Sequence, residues 1–392
     1  MMAAPPPGRL LVVTWRFPAF SETFVVDHLT GLLDHGWRVS LCCVELDEGA
    51  RAGHGALAAR LETVVVLGDE VAEPTRLEQL RRLGRERPGR AVRSGVARHA
   101  ARLAPALRRV LSEVRPDLVH AHFGPNAAAA ALARAEGGPP LIADLHGYDI
   151  TEVPHAEGWV TYRRLLAGAT VIVHSRFAAG RVQTGLGVQP VLVPYDPAPA
   201  FAPVDRPDHW SAPLRLLFGG RLVPEKGADL AVEALARLRR DRPDLDPALT
   251  VVGRGPAEPA VRARARELAV EDRVRFAGAL PHDEVARTMA EHDVLLVPSR
   301  SSSSGWVEAF GLVAAEGTRS GLGVVVTRSG GLPEAVGPSG VVVEPADGAA
   351  LAAGVAELLD RSNPAVLSAA APSGRSRTGE RYDRVARGLL ST

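Results

Sequence analysis

The chain has 392 residues, 46% of them hydrophobic, and a formal net charge of +1. At about 150 residues per domain this length suits two or three packed domains, and the near balance of charge excludes a dedicated polyanion binder. No apolar run reaches the roughly 18 residues of a membrane span, and MMAAPPPGRL lacks the charged start and apolar core of a signal peptide, so a cytoplasmic protein is expected.

Short Val/Leu-rich runs recur along the first half: RLLVVTW (9–15), RVSLCCVEL (38–46), TVVVLG (63–68), DLVHAHFG (117–124), LIADLHG (141–147), TVIVHS (170–175) and PVLVPYD (190–196). Cys42 and Cys43, adjacent inside one run, read as small buried residues rather than a disulfide or metal pair. Residues 76–109 carry 11 arginines and two glutamates. They are either the solvated face of a helix or a basic surface for anionic lipid. After the Pro-rich 196–213 the pattern resumes with LRLLFGG, LTVVGRG, VRFAGAL, DVLLVPS, GVVVTRSG and GVVVEP. Apolar strands without alternation, interleaved with helices, predict parallel sheets covered on both faces. The expectation is therefore an α/β chain of two Rossmann-like domains, 1–204 and 205–375, with ligands at the carboxyl ends of the strands. A last helix in 376–392 would pack back on the first domain.

Two clusters in the second half carry chemistry. FGGRLVPEKG turns on Gly219 and Gly220 into the helix ADLAVEALARL and holds Lys226, the one lysine among 46 basic side chains. Glycines let backbone N–H groups approach a ligand, and Arg221 and Lys226 offer a planar fork and a point charge suited to phosphate. The plain alternative is a solvated loop. In GWVEAFGLVAAEG (305–317), Glu308 and Glu316 stand eight apart with Gly311 between them. A helix starting near Gly311 leaves Glu308 in the loop and Glu316 two turns on, with the N–H groups of Phe310, Gly311 and Leu312 open to a phosphate or sugar oxygen. Two surface glutamates favoured by the helix dipole are the alternative there.

Together GGRLVPEKG, VVGRGP, VRFAGAL, VPSRSSSSGWVEAFGLVAAE and SGGLPEAV occur in an order that resembles the family 4 retaining glycosyltransferases of the GT-B fold, whose two Rossmann-like domains face each other across a cleft. Glu308 and Glu316 match the E-x7-E signature of that family. RFPAFSETFVVDHL, PDLVHAHFG, DLHGYDI and HSRFAAGRV resemble a subgroup of exopolysaccharide, colanic-acid-type and natural-product transferases. The resemblance implies transfer of a hexosyl unit (glucose or N-acetylglucosamine type) from a nucleotide sugar, UDP-linked by family frequency, to an acceptor hydroxyl with retention. The first domain would bind the acceptor and the second the nucleotide sugar.

By the same resemblance Arg221 and Lys226 would hold the diphosphate, Glu316 the ribose, and Glu308 with the Phe310–Leu312 backbone the sugar. Arg254, Gly255 and Phe276 would line the base pocket, and His146 would stand beside the sugar from the first domain. No cofactor and no metal are expected, since the two cations would stand in for a metal's charge. One departure is WRFPAFSETF where the family often has a Gly-Gly loop. There Ser21, Glu22 and Thr23 would cap a helix and, with Arg16 and Asp149, form the acceptor side. The acceptor would be a lipid-linked sugar, with peripheral membrane contact through 76–109, or a soluble aminocyclitol, for which Glu22, Asp144, Asp149 and Glu152 offer carboxylates.

Asp244 and Asp246 imitate a DxD metal motif but sit in a polar turn, and His120, His122 and His146 read as cleft-lining or packing histidines rather than zinc ligands. Three rival classes remain. A glycoside hydrolase would need no phosphate cations; a UDP-sugar 2-epimerase would need no acceptor; a non-catalytic nucleotide-sugar binder would not turn over.

Overall fold

The computed structural model describes residues 7–18, 22–47, 54–68, 71, 95–345, 347–372 and 376–391. Much of the arginine-rich stretch, residues 76–94, lies outside them. By internal packing the chain divides into two compact units. The first comprises residues up to Val173, Ala179–Val193 and the tail from Thr378; the second comprises His174–Ala178 and Pro194–Arg377. The break falls at the start of the Pro-rich stretch rather than near its middle.

In the first unit β1 (Arg9–Phe17), β2 (Arg38–Leu46), β3 (Thr63–Val66), β4 (Leu118–His122), β5 (Leu141–Asp144), β6 (Thr170–Val173) and β7 (Val191–Leu192) form a sheet in the order 3-2-1-4-5-6-7. In the second, β8 (Arg215–Gly219), β9 (Ala248–Val252), β10 (Val274–Gly278), β11 (Val294–Val297), β12 (Gly323–Thr327) and β13 (Val341–Val343) run 10-9-8-11-12-13. Every pairing in both sheets is parallel. These are two Rossmann-like sheets, one for each group of apolar runs in the sequence. Covered on both faces, the central strands have no reason to alternate. Leu10, Leu11 and Val12 are all fully buried, as are Leu295 and Leu296, each burial contributing roughly 1.5–3 kcal/mol.

The strand order reverses between β1 and β4 in the first sheet and between β8 and β11 in the second, and such switch points are where doubly wound sheets open a crevice for ligands. Cys42 and Cys43 lie in the first core without a disulfide, and burial pushes the Cys42 thiol up to about 12. The helix Thr378–Leu390 belongs to the first unit. It crosses the helix Thr23–Asp34 so closely that a Cβ on Gly31 would lie 2.6 Å from Gly379 Cα. Trp37 Nε1 donates to Asp383 at 2.8 Å across the same contact. No described helix is long and apolar enough to cross a membrane.

Candidate active site

At the carboxyl end of β8 the chain passes through Gly219 and Gly220 to Arg221, then a short 3-10 turn, Pro224–Lys226. Backbone pairing clamps this turn to the one after β9: Gly220 N–H donates to Val252 O and Leu222 N–H to Arg254 O. The approach admits no side chains. A Cβ on Gly253 would stand 1.8 Å from Gly220 O, and one on Gly255 would stand 2.3 Å from Leu222 O. Gly227, at φ +72°, caps the helix Ala228–Asp241 and packs against Pro298 O at the end of β11. This places the Lys226 loop over the switch point.

There Lys226 Nζ donates to Glu308 Oε2 at 2.5 Å, the two side chains being only 19% and 12% exposed. Ser299 Oγ donates to the same oxygen at 3.2 Å, and Nζ sits 5.2 Å from the Trp306 ring centroid. The two residues, 82 apart in sequence, thus meet as a partly buried ion pair. Arg221 differs: its side chain is exposed and has no ion pair or hydrogen bond among the described residues.

The Glu308 loop is held from below by the glycines of SGGLPE. Gly331 N–H donates to Glu308 O at 2.9 Å, and a Cβ on Gly330 would lie 1.9 Å from that oxygen. Gly311, at φ +88°, caps the helix Leu312–Arg319. The N–H groups of Phe310, Gly311 and Leu312 have no acceptor among the described residues, leaving a partial positive charge at the helix start. Ser175 Oγ donates to Ala309 O at 2.6 Å, and Tyr195 meets the Phe310 ring edge-on.

About one turn into this helix Glu316 is 5% exposed, with His282 Nε2 at 2.8 Å from its Oε1. His282 escaped the sequence reading. Its only signal is a histidine opening the helix His282–Ala290, 34 residues before Glu316.

Some expected positions have other surroundings. Arg254 is exposed, Gly255 serves the backbone contact above, and Phe276 is half-buried. It lies inside β10 against the apolar core, with the Arg262 guanidinium 3.9 Å over its ring. Asp244 is ion-paired with Arg242 at 2.8 Å and Asp246 is ion-paired with Arg273, so each carboxylate of the DxD look-alike already has an arginine.

In the first unit β4 and β5 end side by side at His122, Asp144 and, two residues on, His146. His146 Nε2 is 3.0 Å from His122 Nδ1, and His122 Nε2 is 2.8 Å from His28 Nδ1. Asp144 Oδ2 accepts from His120 Nε2 at 3.0 Å and from the Tyr382 hydroxyl at 2.8 Å. His120 and His122 are therefore members of a buried polar cluster, and Asp144 is its carboxylate, wholly inside.

Asp149 must also be corrected as an acceptor-side carboxylate. It is fully buried and accepts from the N–H groups of Gly124, His146 and Gly147 at 2.9, 3.1 and 2.7 Å. Burial still raises its carboxyl above the usual range. Its work is to shape the His146 loop. Arg16 is paired with Glu45 at 2.5 Å. Glu22 precedes the helix Thr23–Asp34, but its side chain makes no capping bond, and Thr23 opens the helix. Ser21 lies outside the described residues. Glu152 opens the helix Glu152–Glu157.

Residues 21–195 match the family model described as Glycosyltransferase Family 4, and residues 213–361 match Glycosyl transferases group 1. The chain is 33% identical, over 73% of its length and 80% of the relative's, to a GDP-mannose-dependent alpha-(1-6)-phosphatidylinositol monomannoside mannosyltransferase of Mycolicibacterium smegmatis. The chain belongs to the family 4 glycosyltransferases. The colanic-acid resemblance is matched by 28% identity to the putative colanic acid biosynthesis glycosyltransferase WcaL of Escherichia coli, covering 86% of this chain and 87% of that one. The glycosyltransferase also shares its fold with Anabaena Alr3699/HepE, solved in complex with UDP: TM-score 0.70 at 18% identity, covering 98% of this chain and all of that one. In this glycosyltransferase the E-x7-E carboxylates are the ones found beside Lys226 and His282.

Proposed function

We propose that this glycosyltransferase moves a hexosyl unit from a nucleotide sugar to an acceptor hydroxyl with retention at the anomeric carbon. The observation that carries the reading is the Lys226–Glu308 pair at the β8/β11 switch point, beside the Arg221 side chain and the N–H groups of Phe310–Leu312, which have no partner among the described residues. As the glycosidic bond to the donor phosphate lengthens, negative charge grows on the departing diphosphate. Preorganised cations aimed at that charge lower the barrier more than they stabilise the bound donor. Arg221 would form a forked bond to phosphate, while Lys226 would exchange Glu308 for a phosphate oxygen. The freed Glu308 carboxylate would then accept from a sugar hydroxyl. Glu316, steadied by His282, would grip the ribose diol. A leaving phosphate that takes the acceptor proton would need no protein base, and Arg221 with Lys226 would serve without a metal.

The relative at 33% identity is GDP-mannose-dependent by name, so GDP-mannose joins the UDP-hexoses among donors to try. The phosphatidylinositol monomannoside in that relative's name favours a lipid-linked sugar over an aminocyclitol here. The test is a thermal-shift screen of UDP, GDP, ADP and TDP sugars, followed by incubation of the best donor with lipid-linked and aminocyclitol acceptors. The reading predicts acceptor-dependent, EDTA-resistant transfer and an α-linked product from an α-linked donor. A free epimerised sugar without acceptor, binding with no turnover, or a β-linked product would each contradict it.

A further inference from the structure

By the family resemblance His146 would stand beside the sugar, and the imidazoles behind it have no role in that reading. His28 comes from the helix Thr23–Asp34, His122 from β4 and His146 from the loop after β5. Their two links, His28 Nδ1 to His122 Nε2 at 2.8 Å and His122 Nδ1 to His146 Nε2 at 3.0 Å, each need one proton between two nitrogens. A neutral imidazole carries a single N–H. With neutral rings only two arrangements satisfy both links: every N–H directed toward His146, or every N–H directed toward His28.

The buried end decides between them. His28 is wholly inside the protein, and its Nε2 has no hydrogen-bond partner among the described residues. Burial, then repulsion from the His120 and His122 imidazoles, holds its pKa well below the ordinary value, which keeps the ring neutral. Directing the chain inward would put a proton on that partnerless Nε2. Directing it outward leaves only a lone pair there, and orphaned buried N–H groups are rarer than under-satisfied acceptors. Asp144 stabilises the outer link. Its oxygens lie 3.6 Å from His122 Nδ1 and 3.6 Å from His146 Nε2, while His120 and Tyr382 hold the carboxylate in place.

We infer that His28 and His122 are positioning residues that fix His146 in its Nδ1–H form, with Asp144 steadying the proton shared by His122 and His146. The inference deepens the proposed function and rests on His146 being part of the transfer site. Its chemical meaning is that His146 carries its proton at Nδ1, as a hydrogen-bond donor there and not a base. A wrong tautomer at such a position disables a site whose geometry is otherwise intact.

The test is long-range 15N–1H spectroscopy of the full chain labelled in its histidine rings, with the His146 signals assigned by their loss in His146→Gln. Nδ1 protonated and Nε2 bare at neutral pH is the expected result. His28→Leu, which removes the donor to His122, should convert the His146 signals to a tautomer mixture. It should also lower kcat on the order of 10-fold, with the donor KM little changed. His28→Gln, whose amide can donate in the same place, should restore most of both.

A proton on His146 Nε2 in the wild-type protein overturns the inference, even if His28→Leu does not fold. So does an unchanged His146 spectrum in folded His28→Leu, or an equimolar tightly bound zinc with metal-shifted His122 and His146 signals. Full activity in His146→Gln would remove His146 from the transfer site, while the spectra would still decide the tautomer chain.

Discussion

Lys226 is the residue on which the site turns. Its charge is engaged by Glu308, so it does not wait as a bare cation, and removing either partner leaves the other partly buried without its opposite charge. Lys226→Ala and Glu308→Gln should each lower kcat/KM by about 10²–10³, the effect of losing one preorganised transition-state contact. Lys226→Arg should not rescue, because a planar fork does not replace a compact ammonium beside Trp306. Steady-state kinetics with the preferred donor checks all three. Glu316→Gln removes the charge that strengthens bonds to a diol and should raise the donor KM about 10-fold with kcat largely kept, a loss of roughly 1.4 kcal/mol within the range for charged hydrogen bonds.

The candidate site was only partly legible at this scale. The E-x7-E spacing and the glycine turn showed in the sequence because they are local. His282 beside Glu316 was not legible, being brought there by a separate helix. Nor was the guanidinium over the Phe276 ring, which comes from another helix, that of Arg262. Asp149 misled because a carboxylate in the loop after a strand looks solvent-facing until its three backbone donors are seen.

Among the elements, the strands were legible for a physical reason. A parallel strand buried on both faces is mostly apolar, so the 13 Val/Leu runs mark β1–β13, though β3, β7 and β10 are themselves partly exposed. What the pattern could not disclose is the tightness of the contacts between turns. The β8 and β9 turns touch backbone to backbone at Gly220 and Gly253, and Gly253 also has φ +133°. Gly253→Ala should therefore cost about 2 kcal/mol or more, through collision and backbone strain together. Urea unfolding of the variant checks this through its midpoint at an unchanged m-value.

The helix Thr23–Asp34 carries a second prediction. His28 is held neutral, with a folded pKa below the ordinary 6.5. The unfolded chain therefore binds the extra proton first as pH falls. Stability should be unaffected by this group above about pH 6.5 and should decline below it, by at most about 1.4 kcal/mol per pH unit from His28 alone. Replacing His28 with Gln should flatten that slope in denaturation curves taken between pH 6.5 and 5.

On the scale of the whole molecule, the C-terminal helix ties chain end to chain core. Tyr382 donates to Asp144 across 238 residues of sequence, a link that no local pattern discloses. Tyr382→Phe keeps the ring's packing and leaves the carboxylate one donor short, so the first unit should lose about 1–3 kcal/mol, measurable by hydrogen exchange of the β5 amides.

A donor site built around the Lys226–Glu308 pair is put to the sharpest test by sugar transfer in purified Lys226→Ala, with circular dichroism showing an unchanged fold. Wild-type secondary structure and a kcat/KM lower by about 10² or more are expected. Full transferase activity in that folded variant would contradict it.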